Sequence, residues 1–395
     1  VKEFLEGSLA VAEVVKLCKP AVISAYPITP QTHIVEELAQ FVANGQLKCE
    51  FVNVESEHSA ASVVLGASAT GVRTYTATSS QGLFYMMEVL FNIAGLRLPI
   101  VMTCANRAVS GPINIWNDQQ DSVSLRDSGW VQLFAEDIQE SVDLHLIAYR
   151  LAEDKSMMLP VMVCMDGFAL THGIENVDMP TQEQVDKYLP AYQPLYKLDV
   201  DNPLTLGALG DPDYYTEARY ALHQTHRQAL ELIPALTQEF SKVFGRNYNT
   251  GLIEEYKVKD AERVIVAMGS VCGTVKEVVD ELRAKGKKVG LLKIISYRPF
   301  PDKAIYEALK NVKRVAVLDR ALSLGSYAPL LSEIKAVFAG KKKQPETTSS
   351  FIVGLGGRDI TSDSIKEVFR LLTAKEISGE FIDLKPELLK EKYEQ

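Results

Sequence analysis

The stretch from Phe51 to Leu83, FVNVESEHSAASVVLGASATGVRTYTATSSQGL, restricts the fold more than any other part of the chain. Phe51 to Val54 predicts a short buried strand. Glu55-Ser56-Glu57 brings carboxylates, and His58 to Ala69 is almost wholly small or apolar, so a helix there can lie close against neighbouring backbone. Gly71 ends it. Arg73 to Ala77 predicts a second strand, Thr78-Ser79-Ser80-Gln81-Gly82 a polar turn, and Leu83 to Ala94 an apolar helix. Strand, acidic residue, tight helix, strand and polar loop form the pattern of an open parallel α/β sheet. Sites in such sheets form at the carboxyl ends of the strands, where Glu57 and the Ser79-Ser80-Gln81 loop fall. By spacing alone, Glu57 is equally an ordinary helix-start carboxylate, exposed to water and favoured by the helix dipole.

A chain of 395 residues predicts two or three domains. The hydrophobic share of 47% and charged share of 24% suit a soluble globular protein. Net charge is −9, and the basic run Lys341 to Lys343 sits in a polar loop. Nucleic-acid and anionic-membrane surfaces are therefore not expected. The five cysteines (Cys18, Cys49, Cys104, Cys164 and Cys272) are scattered and include no CxxC. That argues against a disulfide framework, a zinc site or an iron–sulfur cluster housed by this chain alone, and for buried free thiols in a reducing cytosol. With neither a signal-peptide pattern at VKEFLEGSLA nor an apolar run of membrane-spanning length, a cytoplasmic location is expected.

Gly7 to Leu17 predicts a helix and Ala21 to Ala25 a strand. The strand runs into Tyr26-Pro27-Ile28-Thr29-Pro30-Gln31-Thr32, where two prolines fix φ and remove donors, so the loop is expected to be rigid. On its own such a loop is only a stiff connection to the helix His33 to Ala43. Leu98 to Cys104 predicts a buried strand with Ala105-Asn106-Arg107-Ala108 at its carboxyl end. The polar and aromatic segment Val109 to Trp130 is longer than a mere connection needs. Helix Ile138 to Glu153 and strand Pro160 to Met165 complete a first α/β unit. From Glu175, Pro180, Pro190, Pro194, Pro203 and Pro212 predict an extended arm. A long helix follows over Tyr215 to Phe244, which Pro234 should kink or divide. The boundary then falls at Gly245 to Gly251, giving domains 1–250, with the arm and helix at about 175–245, and 251–395. The second unit alternates strands (Arg263 to Met268, Val289 to Ile295, Arg314 to Leu318, Ser350 to Val353) with helices (Gly273 to Lys285, Asp302 to Leu309). From Ile377 a charged tail is expected to pack loosely or against a partner.

Several familiar signals are absent. MGSVCG and GLGG fall short of the dinucleotide fingerprint, and there is no P-loop or GxSxG elbow. The six histidines show no metal-ligand spacing; His223 and His226, three apart on a helix, ordinarily mark a solvated face.

The motifs Tyr26-Pro-Ile-Thr-Pro-Gln, Val54-Glu-Ser-Glu-His-Ser-Ala, Thr76-Ala-Thr-Ser-Ser-Gln-Gly-Leu, Asn106-Arg-Ala, Pro112-Ile-Asn-Ile-Trp-Asn-Asp, Arg126-Asp-Ser-Gly-Trp, Tyr297-Arg-Pro-Phe-Pro and Phe351-Ile-Val-Gly-Leu-Gly-Gly-Arg-Asp run in order along nearly the whole chain. Together they resemble the alpha chain of the multi-subunit 2-oxoacid:ferredoxin oxidoreductases that act on pyruvate. The resemblance implies two open, mainly parallel-sheet α/β domains: a thiamine-diphosphate-binding domain of pyrimidine type, then one like the transketolase C-terminal domain. It implies that Glu57 bonds the aminopyrimidine ring of thiamine diphosphate, that Thr29 lies near cofactor and substrate, and that Arg107 holds the 2-oxoacid carboxylate, for which its planar fork is apt. Without the resemblance, Arg107 is an arginine pinning its loop through an aspartate such as Asp118 or Asp121.

Thiamine enzymes anchor the diphosphate through Mg²⁺ with a GDG motif. Here Gly210-Asp211 is followed by Pro212, and Met165-Asp166-Gly167 lacks the leading glycine. The resemblance thus implies a site shared with a beta chain carrying the diphosphate and Mg²⁺, with [4Fe-4S] clusters on further subunits, coenzyme A as co-substrate and ferredoxin as acceptor. Ser110-Gly111-Pro112 departs from the family's usual Ser-Ala-Pro beside the substrate loop, which leaves pyruvate, a branched 2-oxoacid and oxalate open as substrates. The rivals are a non-oxidative thiamine decarboxylase or transketolase-like subunit, and a small-molecule-binding scaffold without catalysis.

Overall fold

Val101–Asn106 and Val161–Asp166 are buried along their whole length, as strands covered on both faces must be. They occupy the middle of a seven-stranded sheet in the computed structural model, which describes residues 2–389. The order across this sheet is Ser296–Arg298, Val131–Phe134, Val161–Asp166, Val101–Asn106, Thr74–Thr78, Val22–Ile23 and Glu50–Phe51. All neighbours are parallel except the edge pair of Ser296–Arg298 with Val131–Phe134. The carboxyl ends of the parallel strands therefore point one way. Thr29, Glu57, the Ser79–Gly82 turn and Arg107 each follow such an end.

This sheet belongs to a first compact unit, the chain up to Glu254 with Met268–Ser270 and Ile294–Pro301. Helices Gly7–Leu17, Thr32–Ala43 and Ile138–Ala152 bury Val11, Val14, Ile34, Leu38, Val142 and Leu146 in its core. The second unit comprises Glu255–Ala267, Val271–Lys293 and the chain from Asp302. A second sheet orders Glu380–Phe381, Thr347–Ile352, Arg314–Asp319, Arg263–Ala267, Val289–Ile294 and Ile253–Tyr256. Ile265, Val275, Leu291, Ala316, Phe351 and Ile365 lie in this unit's core. The fold is thus α/β with sheets dominated by parallel pairing.

Several expected elements change. The apolar helix after the Thr78 turn is two helices, Ser80–Tyr85 and Met87–Gly95. The arm from Glu175 is not wholly extended. Ile174–Asp178 pairs antiparallel with an unforeseen strand, Lys2–Glu6, and Gln182–Tyr188 is helical behind a capping box of Thr181 and Gln184. Thr181-Gln-Glu-Gln is a legible signal for that box. Pro234 does not divide Tyr215–Phe244, which stays one helix of 30 residues capped by Gly245 at φ +76°. Its stripe of Leu222, Ala229, Ile233, Leu236, Phe240 and Phe244 is buried, and tertiary packing overrides the lost donor. The helices Pro329–Phe338 and Ser362–Leu371 were not anticipated. The tail is not loose at its start, because Glu380–Phe381 extends the second sheet beside Phe351 and Ile352. Its last residues, 390–395, lie outside the described residues.

None of the five cysteines is in a disulfide; Cys49 is partly exposed and the other four are buried. His226 does not lie on a solvated face. It bonds the Gly129 carbonyl at 3.0 Å, and burial pulls its pKa down to about 4. Among the described residues no helix is long and apolar enough to cross a membrane.

Candidate active site

Glu57 is the first residue of the helix Glu57–Ala69, behind Ser56, whose Oγ accepts from the Ser59 amide at 3.2 Å. It is a helix-start carboxylate, as spacing allows, but it is only 8% exposed rather than open to water. No other described residue hydrogen-bonds or ion-pairs with its carboxylate. Gly82 explains how the carboxylate fits. A Cβ added there would stand 2.6 Å from both Glu57 Oε1 and Thr78 Oγ1. Only a bare Cα leaves room for the two oxygens. In the same turn Thr78 Oγ1, Ser79 Oγ and Gln81 Nε2 are also buried without a hydrogen-bond partner. A buried carboxylate and three buried polar atoms left unpaired are costly unless something else satisfies them.

A second group gathers around Arg107, which is 7% exposed. Its Nε donates to the Asn114 carbonyl at 2.9 Å and its Nη1 to the Thr29 carbonyl at 3.0 Å. The structure thus brings Thr29 and Arg107 together. Nη2 has no partner among the described residues, so one donor arm of the fork is open. Burial lowers the guanidinium pKa from its ordinary value, opposed by the charge of Asp121. Thr29 itself is held by its neighbours. The Thr29–Pro30 peptide is cis, Gln31 Nε2 donates to the Ala77 carbonyl at 2.6 Å, and Pro30 rests where a Cβ on Gly167 would come within 2.5 Å of it.

Neither Asp118 nor Asp121 pairs with the Arg107 side chain. Asp121 instead accepts from the Arg107 backbone amide at 2.9 Å. It is fully buried, and also accepts from the Ser80 amide at 2.9 Å and from Asn106 Nδ2 and the Ser122 amide at 2.8 Å each. Burial pushes its pKa up to about 6 despite these four donors. Ser80 sits at φ +50°, a backbone conformation costly for a residue with a Cβ. Asp121 therefore joins the turn that carries Gly82 to the strand end that carries Arg107. Nothing in the sequence separates Asp121 from the other acids of its loop, and Gly82 reads there as a simple turn residue.

An open parallel sheet thus carries a buried, unpaired glutamate and an arginine fork at the carboxyl ends of its strands, and a second unit with a largely parallel sheet follows it in the chain. The structure aligns with a 2-oxoglutarate:ferredoxin oxidoreductase from Magnetococcus marinus at a TM-score of 0.68 and 22% identity, covering 93% of this chain and 65% of that one. It aligns with a split-gene transketolase at a TM-score of 0.53 and 13% identity, covering 93% of each chain. Residues 13–237 match the family described as pyruvate flavodoxin/ferredoxin oxidoreductase, thiamine diphosphate-binding, and residues 261–365 match pyruvate:ferredoxin oxidoreductase core domain II. The chain is 52% identical over 387 residues to pyruvate synthase subunit PorA of Methanothermobacter thermautotrophicus, covering 98% of this chain and 99% of that protein. It is 45% identical over 369 residues to ketoisovalerate oxidoreductase subunit VorA of Pyrococcus abyssi, covering 93% and 92%. The chain belongs to the thiamine-diphosphate-binding pyruvate flavodoxin/ferredoxin oxidoreductases.

Proposed function

We propose that this chain is the alpha subunit of a pyruvate:ferredoxin oxidoreductase. The complex converts pyruvate and coenzyme A to acetyl-CoA and CO₂, and the two electrons released reduce ferredoxin. The observation that carries the reading is the buried Glu57 carboxylate without a partner, set against the bare Cα of Gly82. That carboxylate, with Thr78 Oγ1, Ser79 Oγ and Gln81 Nε2, offers acceptors and donors suited to the polar edge of an aminopyrimidine. Thiamine diphosphate, when bound, supplies the carbon nucleophile for decarboxylation. Glu57 would hold the ring in orientation and carry the proton exchanged with its ring nitrogen. Arg107 offers Nη2 to the substrate carboxylate, while its bond to the Thr29 carbonyl sets the direction of the fork.

The division of labour follows the sequence. A pyrimidine-binding domain over 1–250 and a transketolase C-terminal-like domain over 251–395 lack the GDG motif, so a beta chain carries the diphosphate and Mg²⁺. Further cytoplasmic subunits carry [4Fe-4S] clusters, the coenzyme A site and the contact with ferredoxin.

A branched-chain 2-oxoacid is the second reading, supported by the similarity to VorA of Pyrococcus abyssi. Ferredoxin reduction by the purified complex, measured with pyruvate, 2-oxoisovalerate, 2-oxoglutarate and oxalate, separates the two. Pyruvate is expected to give the highest kcat/KM. Preference for 2-oxoisovalerate would select the second reading, and no reduction with any of them would end both.

A further inference from the structure

We propose that Glu6, His33 and His172 form a binding site for one divalent transition-metal cation of the zinc class, a clip that braces the loops holding Thr29 and Arg107. The three come from separate parts of the first unit. Glu6 ends the strand Lys2–Glu6, His33 is the second residue of the helix Thr32–Ala43, and His172 follows the strand Val161–Asp166. Sequence spacing could not pair them. In the fold, one ligand atom from each lies within 4.8 Å of the other two. Two imidazoles and a carboxylate make the donor set that zinc-class cations prefer, with room for water to complete the coordination.

The carriers are locked, which distinguishes this cluster from a chance meeting of surface side chains. The Gly7 amide donates to the Gly173 carbonyl at 3.1 Å, and Ser8 donates to the Thr171 carbonyl through its amide at 2.9 Å and its Oγ at 2.8 Å. These bonds flank Glu6 on one side and His172 on the other. Thr171 Oγ1 takes the Phe168 amide at 2.8 Å and stands 2.7 Å from His172 Nδ1. In the tautomer that carries the proton on that nitrogen, Thr171 accepts from it and Nε2 has the lone pair, the arrangement by which outer groups orient a ligating histidine. His33 Nδ1 lies 2.7 Å from Glu6 Oε1, so a proton now bridges two of the three ligands. Histidine ligates as the neutral imidazole and glutamate as the carboxylate, and a cation replaces that bridge.

The site reaches the catalytic loops through contacts. The His33 and His172 rings stand 4.7 Å apart, His172 is 4.8 Å from Phe168, and Phe168 is 6.3 Å from Trp116. The Trp116 carbonyl accepts from the Ala108 amide at 2.9 Å, next to Arg107. On the other side, His33 follows the Thr29–Pro30 turn that rests on Gly167. A cation here ties both ends of that arrangement to the strand Lys2–Glu6.

The test uses the full chain, stripped with chelator and titrated with zinc sulfate by calorimetry and with cobalt(II) by visible absorption. Saturable binding of one ion per chain is expected, with a raised Tm. Glu6→Gln, His33→Gln and His172→Gln should each weaken it by about 100-fold or more, beyond the loss typical of outer-shell changes. Matching Tm values for the metal-free variants and wild type show that folding is intact, and His172→Gln, in a loop, is the variant least able to disturb it. Absence of saturable binding overturns the proposal. So does binding that survives in all three variants, which would place the ion elsewhere, such as on a thiol.

Discussion

Asp121 Oδ2 lies 2.9 Å from the backbone nitrogen of Arg107, and the same oxygen lies 2.9 Å from that of Ser80. One carboxylate thus fixes both the strand end that aims the guanidinium and the turn that presents Gly82 to Glu57. Its other oxygen faces Asn106 Nδ2 and the Ser122 amide, so no orientation of an asparagine avoids setting an NH₂ against N–H donors. Asp121→Asn is expected to raise the 2-oxoacid KM and weaken thiamine diphosphate binding together, each by about tenfold or more, since an unmade buried hydrogen bond costs roughly 1–3 kcal/mol. Acidification should mimic it. A proton gained as pH falls through about 6 removes an acceptor, and KM should rise below that pH. The fold responds oppositely. Because the folded pKa is raised above the ordinary 3.8, the stability this group contributes is full below that value and lost as pH rises through about 6. A Tm that falls over the same acid range in which KM rises would contradict this account.

Glu57→Gln keeps the shape of the side chain and removes its acid–base capacity. Turnover of the assembled complex is expected to fall by about two to four orders of magnitude, the span typical of a lost proton-transfer group. Assembly, followed by size-exclusion chromatography, should be unchanged. Near-normal turnover would leave Glu57 as a helix-start carboxylate and nothing more.

Gly82→Ala separates function from stability. Gly82 lies within the helix Ser80–Tyr85, where alanine is the better helix former by about 1 kcal/mol. The new methyl must displace Glu57 Oε1 and Thr78 Oγ1, each 2.6 Å away. Both belong to side chains that can turn aside. Thiamine diphosphate affinity should drop at least about tenfold while Tm holds or rises slightly. If calorimetry shows affinity unchanged, Gly82 is not the gap through which Glu57 works.

The alternation of apolar strand and helix made the parallel sheets legible, because strands buried on both faces, such as Val161–Asp166, read as continuous apolar runs. Glu57 and Arg107 were legible as strand-end residues for the same reason. Lys2–Glu6 and Ile174–Asp178 were not, since KEFLE and IENVD mix charge with apolar residues and pair only across a long sequence separation. Pro234 misled because helix propensity is weak beside a buried stripe that runs from Leu222 to Phe244. Asp121 was hidden for a different reason. Its importance lies in which backbone amides meet it in space, and local sequence does not encode that.

In the second unit, Asp319 accepts from the amides of Leu330 at 2.7 Å and Leu331 at 3.2 Å, capping the helix Pro329–Phe338. Burial nonetheless pushes its pKa up to about 7 from 3.8. A raised carboxyl contributes stability that is full below 3.8 and lost as pH rises through about 7. Asp319→Asn retains an acceptor for the Leu330 amide and carries no charge. Relative to this variant, the wild-type Tm should decline between about pH 4 and pH 8, by an amount equivalent to at most about 4 kcal/mol. Parallel Tm curves for the two proteins would show that the pKa is not raised.

Arg107→Lys tests the substrate clamp. The guanidinium donates through Nε to the Asn114 carbonyl and through Nη1 to the Thr29 carbonyl, so the arginine braces its own loop as well as leaving Nη2 open. Lysine keeps the charge but has neither the fork nor the reach to serve three acceptors in one plane. Losing a charge-assisted hydrogen bond to the 2-oxoacid carboxylate costs roughly 1.5–3 kcal/mol, or about 10- to 150-fold in apparent affinity. KM should rise by that factor. Thiamine diphosphate binding should hardly change, because Glu57, Thr78 and Gln81 lie on other segments and make no bond to Arg107. The comparison with Asp121→Asn is informative. That variant is expected to weaken both ligands, since Asp121 bonds the Ser80 amide as well as that of Arg107. If Arg107→Lys also weakens both equally, the arginine serves to pin Asn114 and Thr29, and the substrate carboxylate is held by another group.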